Sequence, residues 1–173
     1  MEQIEDIRSD RVDAGFVFNM PSNDEELDHL PVAIQHVELS VPRGHPLGRI
    51  KKLRLRDLVD APFIWFPRRE APAFYDRLLH ECYRGGLKSP RIVQEAANEA
   101  TILSLVSHGM GVGWVNGTAR GRCPERVVIL AVTDLDMPLP MDLAWKKANT
   151  SPLLRSFIAD VQRLPKVQAL SKR

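Results

Sequence analysis

Residues 92–115 read IVQEAANEATILSLVSHGMGVGWV, and this stretch decides the fold. It opens with a run of strand-forming residues in PRIVQEA. Asn98 then stands where a helix N-cap belongs. Ile102, Leu105 and Val106 recur at helical spacing and predict an amphipathic helix that Gly109 ends. VGWV resumes as a strand. Strand, helix and strand follow each other with short links, the unit from which α/β folds are built. The GMGVG within it is not a dinucleotide fingerprint, because those glycines follow a helix and open a strand, the reverse of the phosphate-binding order. Gly111 and Gly113 read instead as a tight entry to the strand.

The same alternation extends outward. Upstream, PFIWF reads as a short buried strand. It runs through FPRREAPAFY into a helix with Pro72 in its first turn. Phe74, Tyr75, Leu78, Leu79, Cys82 and Tyr83 form the stripe of that helix and Gly85-Gly86 its stop. Further back, EQIEDIRSD predicts a short helix with Ile4 and Ile7 on one face. RVDAGFVF predicts a buried strand, with Val12, Ala14, Phe16 and Phe18 on one side and Gly15 and Val17 on the other. NMPSNDEELDHLP reads as a polar loop, AIQHVELSVP as a strand, and Leu55–Leu58 as a short helix. Downstream, RVVILAV and PMDLAWKK are strands. SPLLRSFIADVQRL is a helix capped by Ser151, with Leu153, Leu154, Phe157, Ile158, Val161 and Leu164 as its stripe. The expectation is an α/β fold with mainly parallel pairing.

Composition narrows the function. The 173 residues are 44% hydrophobic and 27% charged, which supports a buried core. A formal net charge of +2 does not favour nucleic-acid binding by these residues. Cys82 and Cys123 form no metal spacing and read as free thiols in a reducing compartment. No apolar stretch reaches the roughly 20 residues of a membrane span. The polar, acidic N-terminus is not a secretory signal, so the cytoplasm is expected. The five histidines make no metal pair, no GxSxG is present, and no cofactor or metal is expected. The chain reads as a non-enzyme.

Two helix starts remain of chemical interest. One follows Arg68, Arg69 and Glu70 at Ala71–Tyr75; the other is Asn98–Thr101. Free N–H groups and a partial positive charge at helix starts suit small anions. In open α/β sheets such starts lie at the C-terminal ends of strands, where ligands bind. On these residues alone the plainer account leads: Asn98 and Pro72 cap helices, and the arginines are solvated.

The order of motifs carries further. SDRVDAGFV, ELSVPRGHPL, LRDLVDAPFIWFPR, PAFYDRLL, the opening stretch and PLPMDLAWKKANTSPLLRSFI, in that order, resemble the effector-binding domain of LysR-type transcriptional regulators over residues 2–164. The resemblance implies a type 2 periplasmic-binding-protein-like fold: two α/β lobes joined by crossover strands, with a small organic acid held between them. Lobe I would comprise residues 1–34 and 132–165, lobe II residues 35–131, and residues 166–173 a flexible tail. The resemblance also implies that the family's helix-turn-helix and the start of lobe I are not in this chain. DNA would then be reached only through that other domain.

The resemblance assigns effector contacts to Pro72 and Phe74 as pocket walls, and to Asn98, Glu99, Ala100 and Thr101 on the opposite side. Arg68 is a candidate anion partner. Phe18 stands where the family often has an arginine, and Val115-Asn116 where a proline is usual. The implied effector is an organic acid of aromatic or dicarboxylic type, and self-association is expected. The alternative is a truncated or free-standing binding protein on the same fold. Truncation would leave DAGFVF as a raw strand edge, with weakened stability.

Overall fold

The structure is a computed structural model that describes residues 2–21 and 23–170. In chain order it contains α1 (Glu2–Arg8), β1 (Ala14–Phe18), β2 (Leu27–Pro42), β3 (Pro62–Trp65), α2 (Pro72–Arg84), β4 (Arg91–Glu95), α3 (Glu99–Ser107), β5 (Val112–Asn116), β6 (Val127–Leu130), β7 (Pro138–Lys146), α4 (Pro152–Gln162) and α5 (Pro165–Leu170). Short 3-10 turns lie at Pro46–Arg49, Leu55–Leu58, Arg68–Glu70 and Gly117–Gly121. The chain divides into two compact units: residues 1–35 with 139–173, and residues 36–138.

The second unit carries the parallel core. β3 pairs in parallel with β4 on one side and β5 on the other. β5 then pairs antiparallel with β2, which also pairs antiparallel with β6. Because side chains alternate along a strand, β3 sends Phe63 and Trp65 to one face and Ile64 to the other. Phe63 lies 5.4 Å from Trp65 and 5.7 Å from Trp114, ring centroid to centroid. On the opposite face Ile64 joins Val115, Ile129 and the α3 residues Ile102, Leu103 and Val106. Each such large side chain, fully buried, contributes roughly 1.5–3 kcal/mol. α2 ends as its glycines suggest: Leu87 N–H reaches the Cys82 carbonyl at 2.9 Å, and Gly86 takes a positive φ of 96°. Burial pushes the Cys82 thiol up to about 12, and Cys82 and Cys123 are both free.

The first unit is built on β1, β7 and β2 in that order. β1 pairs antiparallel with β7 from Ala14 opposite Trp145 to Phe18 opposite Met141. Ile7 of α1 is buried among Val17, Met20, Leu27 and Ala144. Leu30, Val32, Leu143, Val161 and Val167 form a second cluster. Asp142 is buried and bonds His29 Nδ1 at 3.1 Å. A cavity of about 460 Å³ is lined by Phe16, Val32, Met141, Val161 and Leu164, among others.

The structure corrects several expectations. β1 is not buried on both faces. Val17 is inside, while Phe16 and Phe18, on the opposite face of β1, are 45% and 41% exposed. The polar loop expected before β2 is strand from Leu27 onward. Leu27, Leu30 and Val32 are buried there, but their uneven spacing among acids hides the period of two. Pairing is not mainly parallel, since β1–β7, β2–β5 and β2–β6 are antiparallel. Leu103, not Leu105, is fully buried on α3. On α4, Leu153 and Phe157 stay exposed and Leu154 and Val161 are the buried anchors; Leu164, exposed too, lies past the end of the helix. The expected C-terminal tail includes α5, which is anchored by the buried Val167; residues 171–173 lie outside the described residues.

The glycines of the opening stretch act by close approach. A Cβ on Gly111 would stand 2.3 Å from the Pro62 carbonyl oxygen, and one on Gly113 would stand 2.4 Å from Ile102 Cγ2. Gly111→Ala must displace backbone, and its expected destabilisation is about 1–3 kcal/mol in urea unfolding. Gly48→Ala, with nothing within 4 Å of its Cβ, should stay within about 0.5 kcal/mol of wild type.

Candidate functional site

β3 and β4 run parallel and adjacent, so they end on the same side of the second unit. The Ala96 N–H donates to the Trp65 carbonyl at 2.9 Å and ties the two ends together. From there one loop climbs to α2 and the other to α3. Arg68 stands on the first loop with Pro72 and Phe74 in the first turn of α2 beyond it, and Asn98 caps α3, whose first turn holds Glu99, Ala100 and Thr101. The structure therefore places seven of the eight expected site residues at the ends of adjoining strands. Phe18 belongs to the first unit, on the exposed face of β1.

The start of α3 is capped by its own residues. Asn98 Oδ1 accepts from the Thr101 N–H and from Thr101 Oγ1, both at 2.9 Å. Glu99 has both carboxylate oxygens engaged. One accepts from the Asn116 N–H at 3.0 Å and the other from Arg122 Nη2 at 2.7 Å. That strap fastens the first turn of α3 to the end of β5. What Glu99 and Ala100 offer an anion is their backbone N–H groups, which have no helical carbonyl to reach.

α2 begins differently. Ala71 provides no side-chain cap and Pro72 has no N–H. The Tyr75 N–H reaches the Ala71 carbonyl at 2.9 Å, which leaves the N–H groups of Ala73 and Phe74 without an intrahelical acceptor. Beside them is an aromatic wall. Phe66 stacks on Phe74 with centroids 5.6 Å apart and planes 25° apart, and Tyr75 meets Phe66 edge-on at 5.5 Å. Trp65 backs the wall at 5.9 Å from Tyr75. Pro72 is exposed, and Phe74 is half-buried.

Arg68 is not a free cation. Its Nε and Nη2 donate to the two Asp76 oxygens at 2.7 and 2.6 Å, one turn into α2. The Arg68 hydrogen bonds hold the Asp76 carboxyl below its ordinary value, and Asp76 raises that of Arg68 in turn. The sequence alone assigns no site role to Phe66, Asp76 or Arg122, and marks Tyr75 only as part of the α2 stripe and Asn116 only as a departure from the family pattern. The separation from Arg68 to Asp76 crosses a 3-10 turn and has no helical period to betray it.

Among the described residues, three buried side-chain polar atoms have no hydrogen-bond partner: Trp65 Nε1, Trp114 Nε1 and Glu38 Oε2. Such groups typically cost about 1–3 kcal/mol each. Among the described residues, no cluster of three or more His, Cys, Asp or Glu could hold a metal ion, and no helix is long and apolar enough to cross a membrane.

Comparison with known proteins matches this architecture. The family model of the LysR substrate binding domain covers residues 1–165. The uncharacterized HTH-type transcriptional regulator YwbI of Bacillus subtilis is 30% identical over 137 residues, 79% of this chain and 44% of that protein. The chain thus spans less than half the length of this relative. The effector-binding domain of BenM with its effector benzoate superposes with a TM-score of 0.74 at 22% identity, covering 94% of this chain and 73% of that one. The effector-binding domain of QuiR in complex with shikimate superposes with a TM-score of 0.74 at 21% identity, covering 92% and 75%. The fold is type 2 periplasmic-binding-protein-like, as in those domains.

Asn98→Ala removes an acceptor that serves two donors. The expected loss is about 1 kcal/mol of unfolding free energy, read from the urea midpoint, with Asn98→Asp retaining most of it.

Proposed function

The chain belongs to the LysR substrate-binding-domain family, and on that premise we propose that it senses a small organic acid at the strand-end face of its second unit. One observation carries the reading: two helix N-termini with free N–H groups open at the ends of adjoining parallel strands, next to a stacked aromatic pair. The N–H groups suit a carboxylate, and the Phe66–Phe74 stack suits a flat apolar body. Solved domains of the same fold that hold benzoate and shikimate support the choice of an acid.

In this proposal the chain is a sensor rather than a catalyst. Binding alters transcription only if the acid favours one conformational state of the whole regulator over another. DNA contact belongs to a helix-turn-helix domain outside these 173 residues. A cytoplasmic setting and self-association are parts of the same proposal. Self-association accords with a sheet path that ends in the exposed apolar strand β1.

Titration calorimetry with benzoate tests the reading. Phe74→Ala should weaken binding by about 3- to 10-fold, the size of one aromatic contact, and Thr101→Ala should also weaken it. Affinity unchanged in both variants would remove the site from consideration. Benzoate recovered intact after prolonged incubation is the outcome expected of a sensor, and its conversion would point to an enzyme.

A further inference from the structure

Four arginines in the turns that directly follow β3 and β5 already have a carboxylate. Arg68 is paired with Asp76 at 2.6 Å, Arg69 with Glu70 at 3.6 Å, Arg120 with Glu38 at 2.8 Å and Arg122 with Glu99 at 2.7 Å. No lysine lies in residues 66–75, 96–101 or 116–123. Every arginine in those three segments is therefore paired, while Arg77, in the second turn of α2, has no carboxylate partner among the described residues.

Among these pairs, Arg68–Asp76 is distinctive. It is a two-point fork in which each carboxylate oxygen takes one donor, the geometry in which Arg and carboxylate match best. It also bridges the loop before α2 to the first turns of α2, beside the uncapped N–H groups of Ala73 and Phe74. Asp76 thus does two things at once: it occupies the nearest cation, and it sets a negative charge close to where an anion would sit.

We propose that Asp76 is a specificity-determining residue of the site, holding Arg68 closed so that the second unit accepts a singly charged aromatic acid and discriminates against a doubly charged one. The inference rests on the sensing site proposed above. Asp76 acts through Arg68 and needs no contact with the acid. A second carboxylate on the ligand finds Arg68 occupied and meets the Asp76 charge. With Asp76 neutralised, Arg68 is released to receive it. Arg68 and Asp76 are both more than half exposed, so exchange of one carboxylate for another at Arg68 needs no unfolding.

The test is calorimetric titration of the intact chain with benzoate and with phthalate, its ortho-dicarboxylate. Wild type should bind phthalate at least about tenfold more weakly than benzoate. Asp76→Asn should tighten phthalate by about tenfold, the scale of one charge-assisted pair, and tighten benzoate by less, so that the ratio between the two acids falls. Asp76→Glu should retain the wild-type ratio. Adding Arg68→Gln to Asp76→Asn should abolish the gain for phthalate, and thermal melts of each variant report on folding. A benzoate-to-phthalate ratio that Asp76→Asn leaves unchanged overturns this inference and leaves the sensing site standing. So does a large loss of benzoate affinity in Arg68→Gln alone, which would make Arg68 a direct ligand group. Absence of binding by every variant overturns the sensing site and the inference with it.

Discussion

Parallel pairing is the constraint on which the chemistry of the second unit depends. Strands that run the same way must be joined by a crossover, and each crossover helix starts beyond the C-terminal end of a strand. β3 and β4 are so paired, and β5 runs with them. The starts of α2 and α3 are therefore delivered to one side with no further design. Close packing makes this possible: Gly111 lets the start of β5 lie against Pro62, and Gly113 lets α3 settle onto the sheet through Ile102. The aromatic residues of β3 then fill one face and the aliphatic residues of α3 the other.

Charge at that end is handled by compensation. Glu99 is held by Arg122 and by the Asn116 N–H, and Glu38 by Arg120 through one of its oxygens. These pairs fasten loops to one another more than they add stability, since exposed ion pairs are typically worth about 0–1 kcal/mol. Their larger effect is electrostatic. They cancel side-chain charge where two helix dipoles converge and leave the weaker, directional field of the N–H groups to act.

Much of this was legible in the residues. Asn98 as a cap, Pro72 as a first-turn residue and Gly85-Gly86 as a stop all depend on local backbone chemistry, which sequence expresses directly. The adjoining strand ends followed from strand–helix–strand order and from the resemblance. Features that depend on pairing partners were not legible. β2 runs from Leu27 because it lies beside β7, and nothing in DEELDHLP has a clean period of two. Exposure of Phe16 and Phe18 reflects how little packs over their face of β1, which no periodicity encodes. The Arg68–Asp76 fork and the Glu99 strap are made across turns, where spacing carries no rule.

The aromatic cluster has one more consequence. The chain has three tryptophans, Trp65, Trp114 and Trp145. The first two are buried with their rings edge-to-face at 6.2 Å, and Trp145 is half-buried in the other unit. Trp65 lies 6.4 Å from Phe66, the residue that stacks on Phe74. Two of the three indoles are therefore dry, one packed against the proposed wall and the other behind it, so the natural chain carries a built-in optical probe of that wall and needs no label.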